Sequence, residues 1–398
     1  MASRDWLNRN VAGMAFTSLL SDVCYEMIIS VLPGFLAAVG ISPAALGWIE
    51  GAADALSSFL KLWAGWYSDR IGRRKLIVVI GYFFTGTGMS LFALAAGWPM
   101  ILFGRMVSWF GKGIRGSLRD TILSESVPTE ARGRAFGFHR ASDTVGAMIG
   151  PLAGIALLHW LPAPSQDYPF RVIFLASLIP GLGAPIAFAL LVRDTGRGPN
   201  HTRFWTTLRE LPQNFRRFLF GAGVFGLGDF SPTLLVMAAA VSLTPGYGKV
   251  GAASIGAALY LLRNAVEAVT AYPIGALSDR LRRTWLLAAG YTIAAAVAGA
   301  AAAMFSSGQS SLIAWIAIFA ASGIFTACKD TLESAIPAAM ITERSRGTAY
   351  GALGFVNGFG DLAASALVGT IWTTGSPAAA FSVAAALMLL GAGFMSRV

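Results

Sequence analysis

The chain is 398 residues long, 55% hydrophobic and only 13% charged, with a formal net charge of +10 and a mean hydropathy of +0.63. An average soluble domain carries about a quarter charged residues, so this composition excludes an ordinary soluble protein and leaves scarcely any polar sequence in which to house an enzyme. An apolar run of about 20 residues crosses roughly 30 Å of hydrocarbon as a helix. The runs here are continuously apolar rather than alternating, which favours a bundle of helices over a barrel.

In chain order the expected spans are 11–39, 44–68, 75–96, 99–125, 134–160, 169–193, 216–243, 250–276, 284–304, 311–336, 347–374 and 377–396. That makes an all-α integral membrane protein of twelve transmembrane helices. The long polar connection, with Asp194, Gly196, Gly198, Pro199 and Asn200, divides the chain into an N-terminal six-helix half (1–193), a linker (194–216) and a C-terminal six-helix half (217–398). Basic residues gather near 4–9, 70–75, 132–134, 193–217, 280–283, 344–346 and 397, whereas the connections near 40–45, 96–99, 305–311 and 373–378 carry no charge. By the positive-inside rule both termini and the basic loops face the cytoplasm, and the first run, too long for a signal peptide, reads as a retained span. Cys24 and Cys328 both sit in apolar segments and read as packed thiols.

One charged turn recurs. Of the turn Gly65, Asp69, Arg70, Gly72 and Arg73, followed by Arg74 and Lys75, all but Gly72 of the first five return 210 residues later as Gly275, Asp279, Arg280 and Arg283. Asp120-Thr121 is likewise echoed by Asp330-Thr331, and Arg132-Gly133 by Arg346-Gly347 with the offset drifting to 214. One half-molecule has been built twice, which is an architecture of alternating-access transporters.

Over nearly its whole length the chain resembles the major facilitator superfamily. The resemblance rests on the Gly65-to-Lys75 turn between the second and third spans, its degenerate copy and the span count. A second motif, Gly146-x3-Gly150-Pro151-x2-Gly154 in the fifth span, resembles that of the proton-coupled exporters, with Ile155 where a second glycine is usual. Arg105 stands where such exporters carry a buried arginine, although Gly111 and Gly113 lie two residues farther on than their usual spacing. The resemblance implies that the first, fourth, seventh and tenth helices line a central cavity, and that the paired turns act as cytoplasmic latches governing switching rather than substrate choice.

A charge at the centre of a span costs on the order of 2.5–3.5 kcal/mol on insertion scales, so each such residue should face a partner or a watery cavity. The four helices just named all carry them. Asp22 and Glu26, with Tyr25 between, lie on the first; Arg115, Arg119 and Asp120 on the fourth; Asp229 on the seventh; Lys329, Asp330 and Glu333 on the tenth. Arg115 lies about 13 residues, roughly 20 Å, from the turn at Pro128, near mid-membrane. Asp22 and Glu26 are expected to face Arg115 and Arg119, one carboxylate exchanging a proton as substrate loads; fixed ion pairs between helices are the competing reading. His139 and Asp143 on the fifth span are further candidates for proton coupling, against a role for His139 in packing. Glu50 with Asp54, and Arg263 with Glu267, read as structural or gating pairs. Trp48, Trp63, Trp66, Trp98 and Trp109 read as interfacial anchors.

No phosphate-binding glycine loop, hydrolase elbow or metal-ligand spacing is present, so no cofactor, metal or nucleic-acid partner is expected. The expected function is secondary active transport, with a proton gradient driving efflux of a small drug-like, amphiphilic or zwitterionic compound. The expected setting is the cytoplasmic inner membrane, with a monomer in the lipid bilayer. Import of a small anion or metal chelate is the alternative, and a non-transporting receptor or scramblase comes from a different class.

Overall fold

The computed structural model describes residues 6–71, 74–128, 132–162, 164–194, 212–278, 280–341 and 346–398. The first half comprises α1 (Arg9–Ala38), α2 (Pro43–Ile71), α3 (Lys75–Ser90, extended by a 3-10 turn at Leu91–Leu94), α4 (Trp98–Glu125), α5 (Arg132–Trp160), α6 (Tyr168–Ala176) and α7 (Leu178–Leu191). The second comprises α8 (Gln213–Gly226), α9 (Pro232–Ser278), α10 (Arg283–Ser307), α11 (Leu312–Met340), α12 (Arg346–Thr374) and α13 (Pro377–Met395). Among the described residues there is no strand.

Local chemistry sets the helix ends. Asn8 Oδ1, Ser311 Oγ and Ser376 Oγ accept hydrogen bonds from Val11, Ala314 and Ala379, satisfying amide donors that a helix start leaves unpaired. Gly40 and Gly308, at φ 73° and 66°, terminate α1 and α10 in the left-handed region open to glycine. Gly248, at φ 69°, breaks α9 into two helices.

The twelve-helix count is not exact. Nine helices among the described residues are long and apolar enough to cross a membrane, and all nine belong to a multi-pass, all-α protein. The expected sixth span is two helices, α6 and α7, joined at Ser177. The expected seventh is interrupted between Gly226 and Pro232, and the break at Gly248 within α9 falls between the expected seventh and eighth spans. Non-helical backbone at membrane depth is tolerated where protein or a cavity surrounds it. The helices α2 and α4 are long but dilute their apolar sequence with Glu50, Asp54, Arg105, Lys112, Arg115 and Arg119.

Two compact units result, one of Met1–Val31 with Leu56–Thr202, the other of Leu32–Ala55 with Arg203–Val398. In the first, α3 packs on α4 and α7; in the second, α10 packs on α11 and α13. Third span on fourth and sixth, ninth on tenth and twelfth: the sequence repeat is realised as a repeated packing pattern. Cys24 and Cys328 are free and buried.

Candidate functional site

In the first unit the polar residues of α1, α3, α4 and α5 converge on Ser18. Its Oγ lies 2.8 Å from Nε2 of His139, 3.3 Å from the Tyr82 hydroxyl, and accepts from Arg119 Nη1 at 3.3 Å. Nδ1 of His139 faces Asp143 Oδ2 at 3.4 Å. With Nδ1–H turned to the carboxylate, Nε2 is the acceptor, so Ser18 gives it its proton and takes those of Tyr82 and Arg119. A continuous chain, Asp143 to His139 to Ser18 to Arg119, thus crosses from α5 through α1 to α4.

One turn away, Arg115 Nη2 donates to Ser21 Oγ at 3.2 Å, and its guanidinium lies 4.1 Å from the Tyr82 ring centroid. Asp22 is within electrostatic reach of Asp143, Arg115, Lys112 and Arg119. The direct carboxylate partner of Arg119 is its own neighbour Asp120, at 2.9 Å. The two arginines therefore hydrogen-bond to serines of α1, with the carboxylate of Asp22 acting on them at longer range.

Glycine makes this convergence possible. A Cβ on Gly146 would stand 2.6 Å from the Leu19 carbonyl oxygen, one on Gly150 2.7 Å from the Met27 amide nitrogen, and one on Gly154 3.2 Å from the Met27 carbonyl oxygen. The motif is thus a stripe along which α5 lies backbone to backbone on α1, and the helix continues through Pro151.

The second unit holds a counterpart. Lys329 of α11 forms an ion pair with Asp229, which sits in the break before α9. Glu333 accepts from the Tyr291 hydroxyl at 2.7 Å and from Asn357 Nδ2 at 2.6 Å, and Asp361 joins Asp229 and Glu333 around the lysine. Ser18 and Asp229, Tyr82 and Tyr291, Arg119 and Lys329, Asp143 and Asn357 are separated by 211, 209, 210 and 214 residues, the offsets of the sequence repeat. The two clusters occupy equivalent positions in the two halves and differ in chemistry. The first contains a histidine and hydroxyls, the second a lysine held by carboxylates. Asp330 is exposed, on a different side of α11 from Lys329.

Several expected residues sit elsewhere. Trp109, expected as an interfacial anchor, is buried within α4, because its ring packs 5.1 Å from that of Tyr25. Trp48, Trp63 and Trp98 are exposed. Arg263 and Glu267 stand 3.7 Å apart on α9, and Arg263 also donates to Thr326. Glu50 accepts from Ser231 Oγ at 3.2 Å within the second unit. Of the latch, Gly72, Arg73 and Asp279 lie outside the described residues, as do the side chains at 65–71. Arg280 is exposed, and Arg283 donates to the Ala335 carbonyl at 3.5 Å. Beside the latch, Arg74 pairs with Glu125 at 2.7 Å, and Asp194 Oδ2 accepts from the backbone amides of Arg74 and Lys75, placing a carboxylate on the N-terminus of α3. Among the described residues no group of three or more His, Cys, Asp or Glu is arranged to hold a metal ion.

Sequence comparison decides the family. The Major Facilitator Superfamily model matches residues 14–260. The chain belongs to the Major Facilitator Superfamily. An uncharacterized MFS-type transporter of Methanocaldococcus jannaschii is 31% identical over 366 residues, 92% of this chain and 89% of that protein. A multidrug resistance protein B homolog of Mycobacterium tuberculosis is 27% identical over 216 residues, 54% of this chain and 38% of the other. Among solved structures, a bacterial homolog of the lysosomal transporter Spinster has a TM-score of 0.75 at 17% identity, covering 97% of this chain and 95% of that one. A nucleoside transporter gives 0.79 at 12%, covering 98% and 99%. At those identities the likeness shows the superfamily fold alone.

Proposed function

We propose that this superfamily transporter couples the movement of a proton to that of a small organic compound by alternating access, in the outward direction. The observation that carries the coupling is the chain of contacts from Asp143 through His139 and Ser18 to Arg119. It sets an imidazole, the side chain whose ordinary titration range spans neutrality, beside a carboxylate among membrane helices. The groups facing His139 are Ser18 from α1, Arg115 and Arg119 from α4, and Arg140 and Asp143 from its own helix, with Tyr82 of α3 bonded to Ser18. A proton arriving there changes the charge that Arg115 and Arg119 feel, and so the charge the pathway presents to a substrate. The outward direction is supported by the glycine stripe and by the likeness to a multidrug resistance homolog. The protein is expected to work as a monomer in the cytoplasmic membrane with both termini inside, driven by the proton gradient without a cofactor.

Proteoliposomes loaded with a panel of fluorescent organic compounds test this. An imposed pH gradient should drive flux by the native protein, and Asp143→Asn should abolish the gradient dependence. Native flux indifferent to the gradient would overturn proton coupling. A second reading, movement of a small anion, is favoured by one observation: Arg105, Lys112, Arg115 and Arg119 line one face of α4.

A further inference from the structure

In the second unit α8 and α13 pack antiparallel through glycine. An added Cβ on Gly221 of α8 would stand 3.2 Å from Cε of Met395, and one on Gly391 of α13 would stand 2.5 Å from Cα of Phe225. Beyond the end of α8, a Cβ on Gly228 would stand 3.1 Å from Cγ of Met388. Partner positions thus advance along one helix as they retreat along the other, and the start of α8 lies beside the end of α13.

That register brings an exposed pair together. The rings of Phe220 and Phe394 meet edge to face with centroids 5.1 Å apart, and they are 59% and 41% exposed. Three residues closer to the shared end stand Arg217 on α8 and Arg397 just past α13, whose last turn is continued by hydrogen bonds from the Arg397 amide to Phe394 and from the Val398 amide to Met395. Residues three apart share a helix face, so both arginines occupy the same corner of the unit, over the ring pair. Both are exposed, and among the described residues neither guanidinium has an ion-pair or hydrogen-bond partner. No acidic residue occurs on α8 or α13.

Two like charges at one corner repel, and an anion between them turns that repulsion into two attractions. Phosphate oxygens match the guanidinium fork. The helix α13 is long and apolar enough to cross a membrane, so its last residues lie where hydrocarbon gives way to headgroups. Arginines at that depth reach the headgroups while the residues behind them stay among acyl chains. Leu390, 57% exposed and one turn from Phe394, continues the apolar strip. A free phosphate would use the arginines alone, whereas cations contiguous with exposed rings suit an amphiphile.

We propose that α8 and α13 form a binding site for an acidic phospholipid, its phosphodiester held between Arg217 and Arg397 and an acyl chain lying along Phe220, Phe394 and Leu390. The lipid is a partner of the fold rather than a substrate, and the site stands whether or not transport is coupled to protons.

The test uses full-length protein in detergent and native mass spectrometry, which reports both the copies per particle and the lipids retained. Three probes are titrated: phosphatidylglycerol, phosphatidylcholine with the same acyl chains, and glycerol 3-phosphate, which has the phosphate without the chains. The native protein should bind phosphatidylglycerol at least about tenfold more tightly than phosphatidylcholine, and glycerol 3-phosphate far more weakly than either. Arg217→Gln and Arg397→Gln should each weaken phosphatidylglycerol about fivefold, the usual share of one basic residue at a membrane surface, and change phosphatidylcholine little. Lysine at the same positions keeps the charge and should lose less. Phe220→Ala should weaken both lipids by a similar factor, because it strips apolar contact and no charge. Lys249→Gln, which removes an exposed cation of α9, should leave the preference unchanged. Equal binding of the two lipids by the native protein, glycerol 3-phosphate binding as tightly as phosphatidylglycerol, or an unaltered preference in the folded double glutamine variant would each overturn the site. So would an equal loss in Lys249→Gln, which would assign the preference to net charge. A native dimer that Phe220→Ala turns into a monomer would put a second copy of the chain on this face and overturn the lipid. If the double variant does not fold, the native protein's ranking of the three probes still decides.

Discussion

Ser18 Oγ and His139 Nε2 stand 2.8 Å apart, joining the first span to the fifth through a contact that can carry a proton. Around that hydroxyl sit Tyr82 and Arg119, so a change at His139 reaches α3 and α4 without any large motion. A glutamine in place of His139 can keep a hydrogen bond to Ser18 while having no titratable group in the working pH range. His139→Gln should therefore lower gradient-driven transport by about tenfold or more, while substrate exchange at equal pH stays within about threefold of the native rate. Equal losses of the two in proteoliposomes would mean that His139 only packs.

The close approach of α5 to α1 gives a prediction about stability. A methyl group at Gly150 would meet the Met27 amide nitrogen at 2.7 Å and the Val23 carbonyl oxygen at 2.9 Å, and backbone atoms cannot move aside as a side-chain tip can. Gly150→Ala should cost about 1–3 kcal/mol, the usual range for overpacking. At Gly299 of α10 nothing lies within 4 Å of an added Cβ. Gly299→Ala should be neutral or stabilising by up to about 1 kcal/mol, because alanine is the better helix former. Thermal unfolding in detergent measures both; equal shifts would contradict the packing.

Much of this was legible in the sequence, and the repeat was the part that could have been pushed further. The 210-residue offset, read from a charged turn, also links Ser18 to Asp229 and Tyr82 to Tyr291. Neither pair stands out alone, because a serine or tyrosine in an apolar run has no net charge to mark it. Asp22, Arg115 and Arg119 were conspicuous as charges, yet the spacing that put them on facing helices could not say that serine hydroxyls would receive the guanidiniums. Trp109 was misplaced for a similar reason: tryptophan suits both a membrane interface and a buried aromatic pair, and only the neighbour Tyr25 distinguishes them. The break between Gly226 and Pro232 lies inside the expected seventh span, where hydropathy continues and the helix does not, whereas the break at Gly248 falls in the expected gap between 243 and 250.

Lys329 and Asp229 form a charge pair in the second unit, with Asp361 and Glu333 nearby. Removing one partner of such a buried pair leaves the other desolvated and uncompensated, which costs about 3–5 kcal/mol. Asp229→Asn should destabilise by an amount of that order, and the double change Asp229→Asn with Lys329→Met should recover most of it. If stability returns without transport, the pair also belongs to the pathway; if both return, it is a brace. A double variant no more stable than Asp229→Asn would show that Asp361 and Glu333, rather than Asp229, hold the lysine.

Outside the spans, Asp167 precedes α6 and gives the fold a pH dependence. Hydrogen bonds from Ser165 Oγ at 2.6 Å and Arg171 Nε at 2.7 Å hold its carboxyl below the usual range. A group with a depressed folded value stabilises the fold above its unfolded pKa, and that contribution fades as pH falls through the folded value. The unfolding temperature should therefore drop on acidification below about pH 4, and Asp167→Asn should flatten that drop and leave little change at pH 7 beyond the loss of one exposed pair. Arg171 is the more consequential partner. It also donates to the carbonyls of Ala93 at 2.7 Å and Ala95 at 2.8 Å, closing the outer end of the third span against the sixth. Arg171→Leu should accordingly lower the unfolding temperature at every pH, by more than Asp167→Asn does, since it strips partners from two backbone carbonyls as well as from the carboxylate. A matched loss in the two variants would place the whole contribution in the ion pair and none in the carbonyl contacts.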